Sequence, residues 1–363
     1  MADLLRMAKQ AVRGLPYLQK ELSRRLSLST GKVLATPMTY YVIFSGRCNL
    51  ECTFCTIYKE VDPILSAETM FRIVRETKEL SGKGYNISLS GGEPMIFKPL
   101  YDTLALAQKL RVNFGFTTNG LGLTNGNVQK LLAYDPFNIN VSLESVDPKI
   151  NESLRPMKDG TRRTLEGIDN LLAEKDRTGS RVSIIVKPTI MEQNYSGLPA
   201  LVRHFGKNSK VQISFQPYVG EIDKPFWIKD LEAFKGVLDE IRDLQRQGYS
   251  VVASDRALTG FLDYFSDPPQ VGNMRRFDLG GAKRNCDIGL RSMFIYANGD
   301  VHFCDFLERA IGNVHKNSLS DIYYGTTAGG QRKEMIYCNI DCQQTCKRPI
   351  PLLVKARAFL RMG

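Results

Sequence analysis

Strand-like and helix-like stretches alternate six times between residues 39 and 247, and that alternation limits the fold more than any other feature. "TYYVIFS", residues 39–45, is a β-branched and aromatic run of the kind that forms a buried strand. The pattern then predicts helix over 67–81, strand over 86–90, helix over 98–110 and strand over 112–117. Helix follows over 125–133, strand over 138–143, helix over 163–175 and strand over 182–190. The series closes with helix 197–206, strand 211–216 and helix 229–247. Strands joined through helices pair in parallel, with the helices outside the sheet. Six such units predict a partly closed barrel rather than a complete eight-unit one.

The rest of the 363 residues is read around that block. The N-terminal stretch predicts an amphipathic helix over 3–26, bent at Pro16, with Leu4, Leu5, Ala8, Val12, Leu15, Leu18, Leu22 and Leu26 at three- and four-residue steps. After residue 250 the alternation stops. Residues 266–285 are rich in Gly, Pro and Arg and read as a connector. "SMFIYANGDVHFCD", residues 292–305, predicts a hairpin turning at Asn298-Gly299. The expected division is a basic amphipathic N-terminal segment (1–37), the barrel (38–250), a connector (251–285), a cysteine-rich domain (286–346) and a basic amphipathic tail (347–363).

Charge follows that division. Of the net +11, residues 1–32 carry seven basic and two acidic residues, and residues 347–363 carry five basic and no acidic ones. The body between them is near neutral. A basic amphipathic helix reads as a membrane-surface or partner-binding element, the alternative being a helix packed on the barrel with a solvated basic face. No aromatic-interleaved basic stretch or known module points to nucleic acid, so none is expected as a partner. No apolar run of 18 residues predicts a transmembrane helix. The start lacks the apolar core of a secretory signal, so a cytoplasmic location is expected, with a peripheral place at the inner membrane face.

Eight cysteines without a secretory signal argue against a disulfide framework and for metal binding. "SGRCNLECTFCTIY", residues 45–58, spaces Cys48, Cys52 and Cys55 as C-x3-C-x2-C directly after the first strand. Iron–sulfur clusters are held by cysteine thiolates. Three thiolates leave one iron of a [4Fe–4S] cube without a protein ligand, and an open metal position can bind and activate a small molecule. A zinc site would need a fourth ligand from elsewhere. The chain has three histidines, none near this loop, which disfavours zinc.

With Phe54 before its last cysteine, the loop resembles the signature of the radical S-adenosylmethionine (radical SAM) enzymes. Further segments are similar in the same order. "SLSGGEP", residues 88–94, resembles the family's GGE motif, whose backbone and glutamate hold the SAM amino group; the matching residues are Gly91, Gly92 and Glu93. Glycines there permit close backbone approach to a ligand. "TTNG", residues 117–120, resembles the end of the third strand. "VSLES", residues 141–145, resembles the ribose-contacting segment. Glu144 and Ser145 replace the family's Asp and Gly, so Ser142 alone carries over. Arg155 matches the arginine that helps hold the SAM carboxylate. The resemblance covers roughly residues 38–216 and implies an α/β fold built on a partial (β/α)6 TIM-like barrel. It also implies reductive cleavage of SAM to a 5′-deoxyadenosyl radical that takes hydrogen from an unactivated C–H bond. The electron would come from a low-potential donor, flavodoxin or ferredoxin.

The second cysteine group, Cys286, Cys304, Cys338, Cys342 and Cys346, with the hairpin between its first two members, resembles the family's C-terminal auxiliary-cluster extension, SPASM, or its shorter twitch form. The full form has seven cysteines and two clusters. Five here imply one auxiliary [4Fe–4S] cluster, held by Cys286, Cys304 and two of the last three. A zinc ribbon is disfavoured because the spacings exceed short knuckles.

No catalytic residue is assigned. His302, Asp287 and Asp305 neighbour the cluster hairpin and are candidates for moving a proton, against surface or hairpin roles. Tyr218 and Trp227 are expected either at the barrel mouth or in the core, and His204 and His315 in solvent. The first expectation for the substrate is a membrane lipid or isoprenoid-linked molecule. A ribosomally made peptide or protein is the alternative, followed by oxidation of a soluble sugar or tetrapyrrole-type metabolite. A non-enzymatic electron carrier would not need the SAM motifs.

Overall fold

The computed structural model describes residues 2–59, 62–207, 209–220, 224–266, 286–304, 307 and 309–336, with side chains from residue 15 onward. Cys338, Cys342, Cys346, Asp305, most of the connector and the basic tail lie outside the described residues.

The chain opens with α1 (Ala2–Thr30), which runs through Pro16 and ends four residues later than the periodicity predicted. The barrel begins with β1 (Thr39–Ile43), α2 (Ala67–Ser81), β2 (Asn86–Ser90), α3 (Leu100–Leu110) and β3 (Asn113–Thr118). Local chemistry explains the limits of α2. The Ser66 side chain accepts from the Thr69 N–H at 3.1 Å, and Gly82 ends the helix at a φ of 64°. Its inner face is Met70, Ile73, Val74 and Thr77.

Next come α4 (Asn125–Leu132), β4 (Asn138–Val141), α5 (Pro148–Leu154) and α6 (Gly160–Thr178). The short α5 was not foreseen, although Asp147-Pro148 is a helix-start signal and the Asp147 side chain caps the Lys149 N–H at 2.8 Å. The predicted strand over 182–190 is two strands, β5 (Ser183–Val186) and β6 (Thr189–Ile190), divided at Lys187-Pro188 because proline has no N–H to continue the ladder. After α7 (Leu198–His204), the predicted strand over 211–216 likewise becomes β7 (Val211–Ile213) and β8 (Gln216–Pro217). β6 and β8 pair with each other in a separate two-stranded sheet. The unit ends with α8 (Leu231–Arg246) and α9 (Asp255–Ser266). α9 stands where connector was expected. Leu258, Phe261 and Phe265 bury its inner face, and the Trp227 indole N–H donates to its Phe265 carbonyl at 3.1 Å.

β1, β2, β3, β4, β5 and β7 pair in parallel in that order, the six-stranded open barrel that the alternation predicts. The C-terminal segment extends the same sheet. β9 (Ser292–Ile295) lies parallel to β1, Thr39 opposite Ser292. β10 (Asp300–His302) returns antiparallel to β9, and β11 (Gly312–Asn313) pairs on its far side. The predicted hairpin is thus present, with Gly299 at a φ of 85° in its turn. α10 (Leu319–Tyr324) and α11 (Thr326–Met335), neither foreseen, pack on α2 and on the turn Ile288–Leu290 respectively. The core between the sheet and its helices is the row Phe114, Phe116, Ile139, Val141, Ile184 and Val186, each at most 2% exposed, whereas the alternate row, with Thr117 and Asn140, faces the barrel interior.

Candidate functional site

Parallel strands bring the segments that follow them to one end of the sheet, so motifs far apart in sequence meet there. One open cleft at the C-terminal ends of β1–β4 is lined by Cys48, Cys52, Cys55, Gly91, Gly92, Glu93, Ser142 and Arg155, together with Phe54, Thr118 and Asn119. All eight residues expected at the SAM and first-cluster site therefore share one cavity. The cleft opens to solvent at the barrel mouth.

The cysteine loop is seated by backbone contacts to the glycine motif. The Gly92 N–H donates to the Ser45 carbonyl at 2.7 Å, and the Glu93 N–H to the Arg47 carbonyl at 2.9 Å. A Cβ on Gly92 would lie 1.7 Å from the Arg47 oxygen, and one on Gly91 2.4 Å from the Ser45 oxygen. The close approach that requires these glycines is thus to the cysteine loop, not only to a ligand. On its other side, the Thr53 N–H donates to the Leu154 carbonyl at 3.0 Å, tying the loop to the end of α5.

Glu93 is 2% exposed. One carboxylate oxygen accepts from the Met95 N–H at 2.9 Å and the Thr118 hydroxyl at 2.7 Å; the other accepts from the Asn119 N–H at 2.7 Å. Burial raises its pKa, and these donors together with the Arg155 charge oppose the rise. A carboxylate offers about four acceptor positions, so one remains for a donor in the cleft. Thr118 and Asn119 are the residues whose role the "TTNG" motif concealed: they hold the glutamate.

Glu144, discounted in the sequence as a departure from the family pattern, is the second finding. Its side chain is fully buried and accepts from Arg155 Nε at 3.0 Å and Nη2 at 2.6 Å, while its other oxygen accepts from the Thr189 N–H at 2.5 Å. Burial raises the Glu144 pKa, opposed first by Arg155. The pair leaves Arg155 Nη1 facing the Cys52 sulfur at 3.4 Å, with the guanidinium 5.3 Å from the Phe54 ring centre. Burial pushes the Cys52 thiol up to about 11 despite that cation. Burial raises the Cys48 thiol as well. Three soft sulfur donors in one cleft, beside one carboxylate and one guanidinium, fit an iron–sulfur cluster with a bound amino acid group.

The other candidates separate. β-Register places Cys304 opposite the start of β9, the end from which Cys286 leads in, whereas the three-cysteine loop lies beyond the opposite end of β1. Cys304 is buried and Cys286 half-buried against the same core. Asp287 is not poised for proton transfer, because Arg24 and Arg291 engage its carboxylate. His302 is half-exposed, with Nδ1 2.9 Å from the Leu307 carbonyl oxygen. Tyr218 and Trp227 are 6% exposed core residues, and His204 and His315 are exposed.

An open parallel barrel with a three-cysteine cleft at its mouth defines a cluster-dependent barrel enzyme. Family profiles described as Radical SAM superfamily and as Iron-sulfur cluster-binding domain (SPASM) match residues 42–195 and 286–347. The chain belongs to the radical SAM superfamily and carries a C-terminal SPASM domain; its cofactors are a SAM-binding [4Fe–4S] cluster, SAM and auxiliary iron–sulfur chemistry. It is 35% identical over 113 residues to the GTP 3′,8-cyclase of Mycobacterium sp. (strain KMS), a match spanning 29% of this chain and only 32% of that protein. It is 25% identical over 306 residues to the mycofactocin maturase MftC of Mycolicibacterium smegmatis, covering 82% of this chain and 69% of that one. Identity is also 25% over 324 residues with the Fe-coproporphyrin III synthase of Methanosarcina barkeri, covering 83% and 78%. Among solved structures, Streptococcus suis SuiB bound to S-adenosylmethionine shares the fold, with a TM-score of 0.64, 21% identity and coverage of 87% of this chain and 72% of that one. SuiB has also been solved bound to its precursor peptide SuiA.

Proposed function

We propose that this chain is a peptide or protein maturase in which Cys48, Cys52 and Cys55 hold the SAM-binding [4Fe–4S] cluster. In this reading Gly91, Gly92, Glu93, Ser142 and Arg155 hold SAM. Cys286, Cys304 and two of Cys338, Cys342 and Cys346 hold one auxiliary cluster. When bound, the cluster and SAM supply reductive carbon–sulfur cleavage and a 5′-deoxyadenosyl radical that takes hydrogen from a substrate C–H bond. The protein's part is binding and orientation. Glu93, pinned by Met95, Thr118 and Asn119, offers its remaining acceptor position to an ammonium group. Arg155, with two nitrogens committed to Glu144, keeps the third for the ligand side of Cys52. Electrons come from flavodoxin or ferredoxin.

The substrate class rests on one observation: the likeness to a maturase runs over 82% of the chain, more than the barrel alone. The similar coverage by a Fe-coproporphyrin III synthase makes a tetrapyrrole the second reading. A lipid-linked substrate, supported by the basic tails alone, ranks below both. The test is anaerobic 5′-deoxyadenosine release from reconstituted enzyme with SAM and dithionite. Precursor peptides encoded beside the gene should accelerate release and lose hydrogen by mass spectrometry. Acceleration by an iron porphyrin and by no such peptide would replace the first reading with the second.

A further inference from the structure

We propose that α1 is a membrane-surface docking helix, laid across the base of the barrel with its leucines outward and fitted to an anionic bilayer. A helix on a globular protein normally turns its apolar stripe inward. Here the arrangement is reversed. Lys20, Glu21, Arg24 and Ser27 are the buried residues, each 4–7% exposed. Leu15, Leu18, Leu22 and Leu26 are 50%, 39%, 51% and 53% exposed, and their spacing of three, four and four residues makes one row. Leu34, just past the helix, is 51% exposed as well.

Specific polar bonds fix this orientation. Arg24 binds Glu21 and Asp287, the latter next to Cys286. The Ser27 hydroxyl accepts from the Leu34 and Ala35 N–H groups at 2.9 and 3.0 Å. Asn113 donates to the Tyr17 hydroxyl at 2.8 Å, and Lys20 to the Pro37 carbonyl at 3.3 Å. Rolling the helix to bury its leucines would strip every one of these partners. Tyr17 meets Asn113, which begins β3, and the Tyr85 carbonyl, just before β2, so α1 lies under the N-terminal ends of the strands, away from the SAM cleft.

The charges beside the row favour an anionic surface. Arg25 and Lys32 are exposed along the helix and just beyond it; Lys83 and Arg111, beside the Pro16 and Tyr17 contacts, are exposed on the barrel base. A second copy fits less well. Its cations would meet these, and a row of leucines already half covered offers less than the about 800 Å² per partner of a stable dimer. A bilayer takes a narrow apolar row into its headgroup boundary while the cations meet anionic lipid.

The test is flotation of the full-length reconstituted enzyme with vesicles of phosphatidylcholine alone or mixed with phosphatidylglycerol. The enzyme should float with the mixed vesicles, less at high salt. The double variant Leu18→Ser/Leu22→Ser should bind about tenfold more weakly, with unchanged SAM cleavage showing that it folds. A chain lacking residues 347–363 should keep the leucine-dependent part. Equal flotation of wild type and the leucine variant would overturn the proposal. So would binding lost only with residues 347–363, or a dimer in sedimentation that the variant splits without any flotation.

Discussion

Two arginines held by buried glutamates, one at each end of the barrel, use the same chemistry for different ends. At the base, Arg24 gives Nε to Glu21 at 3.0 Å and both terminal nitrogens to Glu21 and Asp287. Every nitrogen is spent on a carboxylate, and the group ties α1 to the segment leading into β9. At the mouth, Arg155 spends two nitrogens on Glu144 and turns the third to Cys52. A closed ion cluster has no donor to spare for a ligand; an ion pair with one donor left over can offer it to one. Buried pairs are weak evidence for net stability, but removing one partner leaves an unpaired buried charge and costs about 3–5 kcal/mol.

The sharpest break of that comparison is therefore Arg155→Ala set beside Arg24→Ala. Both should lower unfolding stability by about 3–5 kcal/mol, measured in urea. Only Arg155→Ala should also cut SAM cleavage per bound iron, by about 100-fold or more, the scale of removing an oriented charge from a reacting site. Equal cleavage losses in the two variants would mean that the base cluster reaches the mouth, and the distinction would fail.

Much of the mouth was legible because each motif follows a strand, and parallel strands end together. Cys48, Cys52, Cys55, Gly91–Glu93, Ser142 and Arg155 needed only the correct strand order to meet. What stayed hidden was pairing across loops. Nothing in "VSLES" says that Glu144 reaches Arg155 eleven residues on, since a loop carries no period. The base was less legible for a related reason. The leucine period in α1 shows two faces but not which one is turned inward; Asp287, 263 residues away, decides that. α11 was missed because Gly329-Gly330 lowers helix propensity; it is held from outside, by Arg332 donating to the Gly289 and Tyr323 carbonyls at 2.9 and 2.7 Å.

A milder change sharpens the mouth alone. Glu144→Gln keeps the shape and an acceptor but removes the charge that aims Arg155. SAM affinity should fall about tenfold, near 1.4 kcal/mol, while the urea midpoint moves less than in Arg155→Ala. The check is the concentration dependence of 5′-deoxyadenosine release. An unchanged dependence on SAM would make Glu144 a structural counter-ion like Glu21, and the two ends would no longer differ.

The smallest effect separates the two ends by pH. Lys20, on the buried face of α1, is pushed down to about 8 by burial, against about 10.4 in an unfolded chain. Between those values the unfolded state binds the extra proton and the folded state does not, so stability from this group rises with pH across that window. Below pH 8 the lysine is charged in both states, and its burial penalty is then at its largest. Lys20→Met removes the titration while keeping the stem. The variant should be more stable than wild type at pH 7, by about 1–2 kcal/mol, and the gap should close towards pH 10. SAM cleavage per bound iron should not change, because Lys20 lies at the opposite end of the barrel from the SAM cleft. A gap that stays constant from pH 7 to 10 would show that Lys20 is charged throughout. The bonds to Thr36 and Pro37 would then stay ion–dipole bonds up to pH 10 instead of passing to a neutral amine above pH 8.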